Sequence, residues 1–429
     1  MNRHTNPRSM LHALEPIGTG TPDIESLRSY FCRLAVSHAV SAAALARRVM
    51  QEVGWQFSEK RDWHLFNLNG MGESAANWSA ALSALTSVAR LDRLTLLPWR
   101  EVIAQSGLAA TASRWCPLCL AEDRDSGRTP YFRLAWDVGA VTVCARHRIS
   151  LVHVCPDCCR TDARHNASCV VPGWCAHCGA FLGNVDPLTP ATPEEMWKTA
   201  QIGNMLTTQA MLDSPPHAAT LHDTINELVT RLDNGKSAVF ARRIGLGKAT
   251  VHHWLREGGV PTLSALLHIA SQAGLPLPNL LTGNLADWPP ASIDIPQLML
   301  LFPESRRRAP PRMHDWEQVR AELTAMSHLP GIISVLEAAR RLDIDPRLLY
   351  QHANREARVL AQRWTQYMAR RAQQSRGKAA TAIEDASRDI VSDGKAINMR
   401  EIRERVAPEV LGSVRKVIHL VQDARDRTS

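Results

Sequence analysis

Hydrophobic residues recur along most of the chain at the three- and four-residue spacing of amphipathic helices. In the segment ESLRSYFCRLA, Leu27, Phe31 and Leu34 fall on one helical face. Thr21 and Pro22 precede that segment and predict an N-cap with proline at the first helical position. No long series of alternating strands is visible, although YFRLAWDVGAVTVC predicts two short ones. The pattern therefore predicts a mainly α-helical protein with a small β component.

Cysteines are concentrated in one part of the chain. Nine of the ten lie between Cys116 and Cys178, several of them in Cys-x-x-Cys pairs. Such clustering is the metal-binding pattern of a reducing compartment and not that of a secreted disulfide scaffold. The simplest partition gives two tetrahedral sites of four soft or borderline ligands, which suit zinc. The first set is Cys116, Cys119, Cys144 and His147, and the second is Cys155, Cys158, Cys175 and Cys178.

Other arrangements of these residues remain open. In a cross-braced arrangement the first and third pairs would share one metal, and the thiols could also be buried without any ligand. Several residues receive no role: Cys32, Cys159, Cys169, His153, His165 and His177. A catalytic zinc normally keeps one position open for water, whereas both sets supply four protein ligands. The signatures H-x-E with P-C-x-x-C and H-E-x-x-H are absent from the sequence. We therefore interpret both metals as structural and predict no catalytic residues and no enzymatic activity.

A helix-turn-helix pattern is visible in SAVFARRIGLGKATVHHWLREGGVPTLSALLHIASQAGLPLPNLLTG (237–283). Phe240 and Trp254 belong to the inner faces of two helices, and Gly245 supplies the tight corner between them. GLGKAT is not a phosphate-binding loop, because no glycine lies five residues before Gly247. The outward residues at the groove-entering end of the second helix are Lys248, Ala249, Thr250, His252 and His253. We therefore predict DNA binding here, with a plain helical bundle as the alternative.

Two further units of this kind are predicted near the C-terminus. In the stretch 334–364, Asp345 caps and Pro346 starts a second helix. The residues that this helix would present outward are Arg347, Gln351, His352 and Asn354. In the last unit, Asn398 and Glu401 predict a capping box for MREIRERV, which is followed by a second predicted helix, VLGSVRKVIHLVQDAR. A simple amphipathic hairpin is the alternative.

Charge is unevenly distributed over the 429 residues, whose net charge is +8. From Leu300 onward there are 24 lysines and arginines against 17 acidic residues, whereas the preceding part has 26 against 25. A basic excess is the electrostatic footprint expected for nucleic acid, and a solvated surface is the alternative. The sequence contains no run of eighteen apolar residues and no secretory signal. We therefore expect no membrane contact and a cytoplasmic, nucleoid-associated protein.

Proline-rich segments divide the chain, which is too long for one core. The resulting fold prediction is a multi-domain, mainly α protein of helix-turn-helix bundles around a central two-zinc, zinc-ribbon-like module with short β-strands. The predicted parts are a disordered lead (1–20), an N-terminal helical domain (21–112), the two-zinc module (113–185), a helical connector (186–236), a repressor-like helix-turn-helix (237–285), a Pro/Arg-rich linker (286–329), a second helix-turn-helix (330–372) and a C-terminal helical unit (373–429).

The order of these motifs resembles the TniQ family. The resemblance is carried by ESLRSYFCRLA, WCPLCLAED, YFRLAWDVGAVTVCARHRISLVHVCPDC and WCAHCG, between Thr21 and Leu182. Members of that family select targets for transposons that use a DDE transposase with an AAA+ ATPase regulator. The resemblance implies zinc ligands at the eight positions named above. It also implies a non-enzymatic, DNA-binding adaptor that marks the target and recruits the ATPase and transposase.

The resemblance leaves the route to the target open. The stretch 237–283 resembles phage-repressor helix-turn-helix units, and the part after residue 330 resembles the reading units of longer TniQ relatives. Both favour direct reading of duplex DNA, while an RNA-guided CRISPR complex is the alternative partner; a homodimer is also open. The alternative function is a zinc-containing helix-turn-helix transcriptional regulator. A transposase would need three carboxylates on an RNase-H-like sheet, and the strand pattern for that sheet is missing.

Overall fold

The computed structural model describes residues 9–54, 63–164, 170–184, 189–286, 288, 314–414 and 417–428. Within these ranges the chain forms seventeen α-helices, and backbone pairing between segments is limited to isolated β-bridges. The prediction of a mainly α protein is therefore confirmed. Part of the predicted lead and most of the Pro/Arg-rich linker lie outside the described residues, as do Cys169 and His165.

Three helices build the N-terminal core: α1 (Leu27–Ser37), α2 (Ala42–Val53) and α3 (Glu73–Thr86). The inner face predicted for α1 is buried, and Phe31 packs edge to face against Trp78 with ring centroids 5.1 Å apart. Large apolar side chains on all three helices exclude water from this core, which stabilises the helices more than their intrinsic propensity does.

Helix α1 begins later than Thr21 and Pro22 predict. Its N-cap is Ser26, whose hydroxyl accepts a hydrogen bond from the backbone N–H of Ser29. Thr21 instead closes a turn by donating its hydroxyl proton to the carbonyl oxygen of Gly18 at 2.8 Å. The prediction was wrong because the residues between turn and helix pair with a distant segment, a tertiary contact that local propensity cannot reveal.

The segment YFRLAWDVGAVTVC does not form the two predicted strands. It contains a 3-10 helix at Leu134–Asp137, and only single bridges at Arg133, Val138 and Val143 remain of the expected pairing. Consecutive residues at positions 131–134 are all buried. A two-stranded ribbon with one solvent-exposed face would expose every second side chain. The irregular backbone of this segment instead buries consecutive side chains on all sides.

One hydrophobic core runs from the N-terminal helices through the cysteine-rich segment into the middle of the chain. A hydrogen bond of 2.9 Å from the Trp99 indole N–H to Gln209 Oε1 lies inside it. The helices that follow α3 and contribute to this body are α4 (Pro117–Asp125), α5 (Pro193–Thr208), α6 (Ala218–Asp233), α7 (Ser237–Arg243), α8 (Lys248–Glu257), α9 (Leu263–Ala273) and α10 (Leu277–Thr282). Four of the segments predicted as separate units therefore share a core.

Two smaller cores follow, and one helix connects them. The helices are α11 (Trp316–Ser327), α12 (Val335–Leu342), α13 (Pro346–His352), α14 (Asn354–Ser392), α15 (Met399–Arg405), α16 (Pro408–Gly412) and α17 (Val417–Thr428). Helix α14 has 39 residues and is about 58 Å long. It buries Leu360 in the first small core and Ile383 in the second. None of the described helices combines the length and the apolarity that crossing a bilayer requires.

The last unit differs from its prediction in two details. Asn398 caps α15 by accepting hydrogen bonds from the N–H groups of Arg400 and Glu401. The Glu401 carboxylate instead contacts Lys395 and Arg405, so the reciprocal half of the predicted capping box is not formed. The long helix predicted after it is divided into α16 and α17. The basic segment MARRAQQSRGK lies in the middle of α14, where it connects the two small cores.

Candidate metal centres and nucleic-acid interface

The first four candidate ligands, Cys116, Cys119, Cys144 and His147, come together in the structure. The Sγ atoms of Cys119 and Cys144 are 3.6 Å apart, and His147 Nδ1 lies 3.4 to 3.5 Å from all three sulfur atoms. A tetrahedral zinc with bonds of about 2.3 Å to sulfur and about 2.0 Å to nitrogen would separate its ligand atoms by roughly 3.5–3.8 Å. The donor set and its spacing therefore fit a zinc ion.

The second set, Cys155, Cys158, Cys175 and Cys178, has the same geometry with sulfur donors alone. The Sγ atoms of Cys155 and Cys178 are 3.5 Å apart, and those of Cys158 and Cys175 are 3.7 Å apart. In each set all ligand atoms lie within 4.8 Å of one another. The structure thus brings together the two sequential sets and not the cross-braced pairing. Both sets are compatible with one structural metal ion each, while zinc as the ion remains a prediction.

Tight backbone turns aim the ligands at a common point. In three of the four ligand pairs, the residue after the second ligand is left-handed, and its N–H donates to the carbonyl oxygen of the first ligand. These residues are Arg148, Cys159 and Gly179, with φ of 53°, 57° and 72°. The turn requires this conformation, which glycine adopts at the lowest cost. Cys159 therefore completes a knuckle through its backbone, and its exposed thiol belongs to neither set.

Crowding of the thiols separates their pKa values. Hydrogen bonds from Cys116 and Cys119 lower the pKa of Cys144 to about 2, and those from Cys158 and its neighbours lower the pKa of Cys155. Hydrogen bonds with Cys116 and Cys144 raise the pKa of Cys119. Thiolate is the form that binds metals. Cys144 and Cys155, whose pKa is lowered, would therefore supply a thiolate to each set for a divalent cation.

Glu122 orients the only candidate histidine ligand. Its Oε1 lies 2.9 Å from His147 Nε2, while Nδ1 of the same ring faces the three sulfur atoms. A ring that binds metal through Nδ1 carries its proton on Nε2 and donates it to the carboxylate. This hydrogen bond is the main cause that holds the pKa of Glu122 below its ordinary value. Our sequence interpretation missed Glu122, although it lies three residues after Cys119 on the same face of α4.

Replacing Glu122 by alanine should weaken metal binding at the first site by about 10–100-fold, because the imidazole loses its orienting acceptor. Competition with a chromophoric chelator would measure the affinity of each site. Asp125→Ala is the matched control, since Asp125 is exposed on the same helix and contacts only the neighbouring Arg124 among the described residues. Equal metal affinities for the two variants would contradict an orienting role for Glu122.

The residues directly after Cys159 also form a packing surface for the C-terminal part of the chain. The Arg160 guanidinium carbon lies 3.5 Å from the centroid of the Trp364 ring on α14. The Thr161 N–H donates to Glu337 Oε2 on α12 at 3.3 Å, and the Glu337 residue is only 2 % exposed. A buried carboxylate is tolerated only when it is hydrogen-bonded or paired. The second metal set and the unit at 330–372 therefore share an interface.

The remaining cysteines and histidines have other surroundings. Cys32 is buried in α1, and burial raises the pKa of its thiol to about 12. His153 is exposed. His177 Nε2 lies 3.1 Å from the Asp162 carbonyl oxygen, so this ring is held by a hydrogen bond and not by the second cysteine set.

The five candidate DNA-contacting residues of the middle unit are exposed. Gly245 forms the corner between α7 and α8 with φ of 70°, and Val251 and Trp254 are buried on the inner face of α8, as predicted. The exposed residues at the start of α8 are Lys248, Ala249, Thr250, His252 and His253. The His253 ring is already engaged, since its Nδ1 lies 2.9 Å from Glu257 Oε2.

The candidates of the second unit are less uniform. Arg347 and Gln351 are exposed on α13, and Asn354 is exposed at the start of α14. The His352 ring stacks on Trp316, with centroids 4.4 Å apart, and this contact limits its freedom to reach a base. Our interpretation missed Tyr350, which is 42 % exposed on the same short helix and offers an aromatic face beside Arg347 and Gln351.

A family model described as TniQ matches residues 16–151. The matched range contains α1 to α4 and all four members of the first ligand set, and it ends before the second set. A comparison with curated proteins finds no match. The TniQ domain indicates a transposition-associated protein. Residues 16–151 of the chain therefore form a TniQ domain.

Proposed function

We propose that the chain is a non-enzymatic adaptor that binds target DNA for a transposon and recruits the AAA+ ATPase regulator and the transposase. One observation carries the proposal: a single chain joins a TniQ domain to helix pairs whose connecting turns and exposed polar residues suit a DNA groove. Function as a transcriptional regulator would explain the helix pairs, but it would not explain the presence of the TniQ domain.

DNA contact is assigned to α8 and α13. Lys248 and Thr250 are exposed at the N-terminal end of α8, where a recognition helix presents residues to the major groove. Arg347 is likewise exposed at the N-terminal end of α13, and Gln351 is exposed one turn later on the same helix. Arginine and lysine read guanine and glutamine reads adenine, so both sets contain residues with suitable hydrogen-bonding groups.

Protein contact is assigned to the TniQ domain. The part of the chain before Leu300 is almost neutral, while the part from there onward has seven more basic than acidic residues. Affinity for DNA rises with the number of phosphates that basic residues neutralise. The basic part is therefore suited to hold DNA, and the neutral part is available for the ATPase or for an RNA-guided complex.

The metals have a structural role in this proposal. When bound, each zinc ion would contribute binding free energy to folding. The first ion would be held by Cys116, Cys119, Cys144 and His147, and the second by Cys155, Cys158, Cys175 and Cys178. Because each set supplies four protein donors, neither leaves the open position that metal-assisted hydrolysis needs.

The double substitution Lys248→Ala and Thr250→Ala in the full chain should remove sequence preference at the bases that α8 reads. Each good base contact contributes about 1–3 kcal/mol, so preferred and random duplexes should approach equal affinity. Gel-shift titrations over a salt series, on duplexes selected by the wild-type protein, would measure the effect.

The matched control is Arg256→Ala, an exposed cation two turns later on the same helix. It should lower affinity evenly across sequences or not at all. Unchanged sequence preference in the double variant would assign reading to another unit. Absence of any salt-dependent duplex binding by the wild-type chain would instead favour recruitment through an RNA-guided complex.

A further inference from the structure

A cavity of about 460 Å³ lies between the TniQ domain and α12. The charged residues that line it are Arg28 on α1, Glu73 on α3, Asp137 at the end of the 3-10 helix and Arg340 on α12. These four charges balance one another. Two further arginines behind Asp137, Arg114 and Arg164, make the surroundings of the cavity positive.

Three arginines, Arg28, Arg114 and Arg164, surround the Asp137 carboxylate, which lines this cavity. Arg164 donates to both oxygens of Asp137 at 3.1 and 3.2 Å, and its side chain is fully buried. The side-chain amide of Asn69 also donates to Asp137 Oδ2 at 2.7 Å. The carboxylate therefore has little acceptor capacity left for the other guanidinium groups. Arg28 and Arg114 are therefore satisfied mainly by backbone carbonyl oxygens.

Some hydrogen-bond donors of these arginines have no acceptor among the described residues. The Nε atoms of Arg28, Arg114 and Arg164 are all buried and have no hydrogen-bond partner among the described residues. Burial is the main cause that lowers the pKa of Arg28, with Arg164 nearby acting in the same direction. Positive charge away from water is costly unless an anion neutralises it. Among these three arginines Arg28 lines the cavity itself, with the positive charge of Arg114 and Arg164 behind it, so an anion in the cavity would meet the Arg28 guanidinium group.

The first turn of α3 opens into the same cavity. Gly72, Glu73 and Ser74 line it, and the N-cap Gly72 provides no side-chain hydrogen bond to the first N–H groups. Free N–H groups at the start of a helix favour an anion. The Glu73 carboxylate accepts a hydrogen bond from Asn77 along the helix, at 3.5 Å. Arg28 and this helix end therefore face a common space.

Part of the wall beside the cations is hydrocarbon. Leu65, Phe66, Met71, Leu96 and Leu108 line the cavity, and Leu65 at its rim is 72 % exposed. The phosphates of a duplex would meet only the rim of so small a space, and the apolar wall gives them nothing. A peptide that alternates acidic and apolar side chains would match both the cations and the walls.

We propose that this cavity binds an acidic, partly apolar peptide segment of a partner protein, with a carboxylate at Arg28 and an apolar side chain against Leu65 and Met71. The proposal goes beyond the proposed function, because it assigns a peptide site whether or not the chain reads DNA. Arg340 contributes from α12, so the site is complete only when α12 is packed against the TniQ domain.

The test uses the full-length, metal-loaded protein and an array of seven-residue peptides in which Asp or Glu alternates with Leu or Phe. A matched array replaces the acids by Asn and Gln, and a seven-nucleotide single-stranded DNA serves as the nucleic-acid probe. We expect acidic peptides to bind, their amide counterparts to bind at least tenfold more weakly, and Arg28→Gln to reduce affinity for the acidic peptides at least tenfold.

Two variants protect the test against misfolding and unspecific charge effects. Leu65→Glu changes a rim residue that is 72 % exposed, so the fold is retained while the added carboxylate repels the acidic peptides. Arg47→Gln alters an exposed arginine of α2 outside the cavity and should have no effect. The proposal is overturned if no acidic peptide binds better than its amide counterpart, or if Leu65→Glu leaves affinity unchanged. Binding of the oligonucleotide alone, lost in Arg28→Gln, would also overturn it and assign the cavity to nucleic acid.

Discussion

Replacing Cys155 by serine should remove one of the two predicted zinc ions and leave the chain insoluble or sensitive to proteases. Cys155 is fully buried and contacts the other members of the second set. A structural zinc ion contributes roughly 10–16 kcal/mol in small metal-folded peptides, whereas whole domains are stable by only about 5–15 kcal/mol. Elemental analysis and limited proteolysis of the purified variant would measure both effects.

Cys159→Ser is the matched control, because it changes a cysteine four residues away that has its thiol exposed. Serine tolerates the left-handed conformation no worse than cysteine, so metal content and protease resistance should stay at the wild-type level. Cys169→Ser is expected to be similarly silent. If Cys159→Ser were as damaging as Cys155→Ser, the assignment of ligands to the second set would be off by one residue.

The second large effect is expected for Asp123→Ala. Arg133 donates to Asp123 Oδ2 at 2.6 Å and to Oδ1 at 3.0 Å, and both side chains are only 2 % exposed. Loss of the carboxylate leaves a guanidinium group buried without its counter-ion, which typically costs about 3–5 kcal/mol. The pair connects α4, which contains the candidate ligand Cys119, to the segment YFRLAWDVGAVTVC. Chemical denaturation of the metal-loaded protein would measure the free energy of unfolding.

Asp125→Ala on the same helix provides the comparison. Its ion pair with Arg124 is exposed on both sides, and such pairs contribute about 0–1 kcal/mol. We therefore expect the two substitutions to differ by at least about 2 kcal/mol. Equal destabilisation by both would show that the buried pair has no special weight in the TniQ domain.

Features that depend on local spacing were predictable from the sequence. A Cys-x-x-Cys pair closes a knuckle within a few residues, so pairing along the chain identified both ligand sets before any tertiary contact was known. The same holds for Asp345 and Pro346, which start α13 as predicted. A cap and a proline act on the residues directly beside them.

Features that depend on distant contacts were not predictable. Thr161 and Glu337 are 176 positions apart, and no local sequence pattern predicts their hydrogen bond. The three arginines around Asp137 likewise come from separate segments of the chain. The continuous helix α14 is an exception, because the stretch 354–392 contains no proline, and this signal for one uninterrupted helix was available from the sequence.

The most direct test of the adaptor function is retention of the transposon's own AAA+ ATPase on target DNA. Bead-bound duplexes, selected from a random library by the full-length protein, would be incubated with the ATPase in the presence and absence of that protein. The account predicts that the ATPase stays on the selected duplex only when the metal-loaded protein is present, and that the Lys248→Ala, Thr250→Ala variant abolishes the preference for that duplex. Retention that is equal with and without the protein would contradict the account.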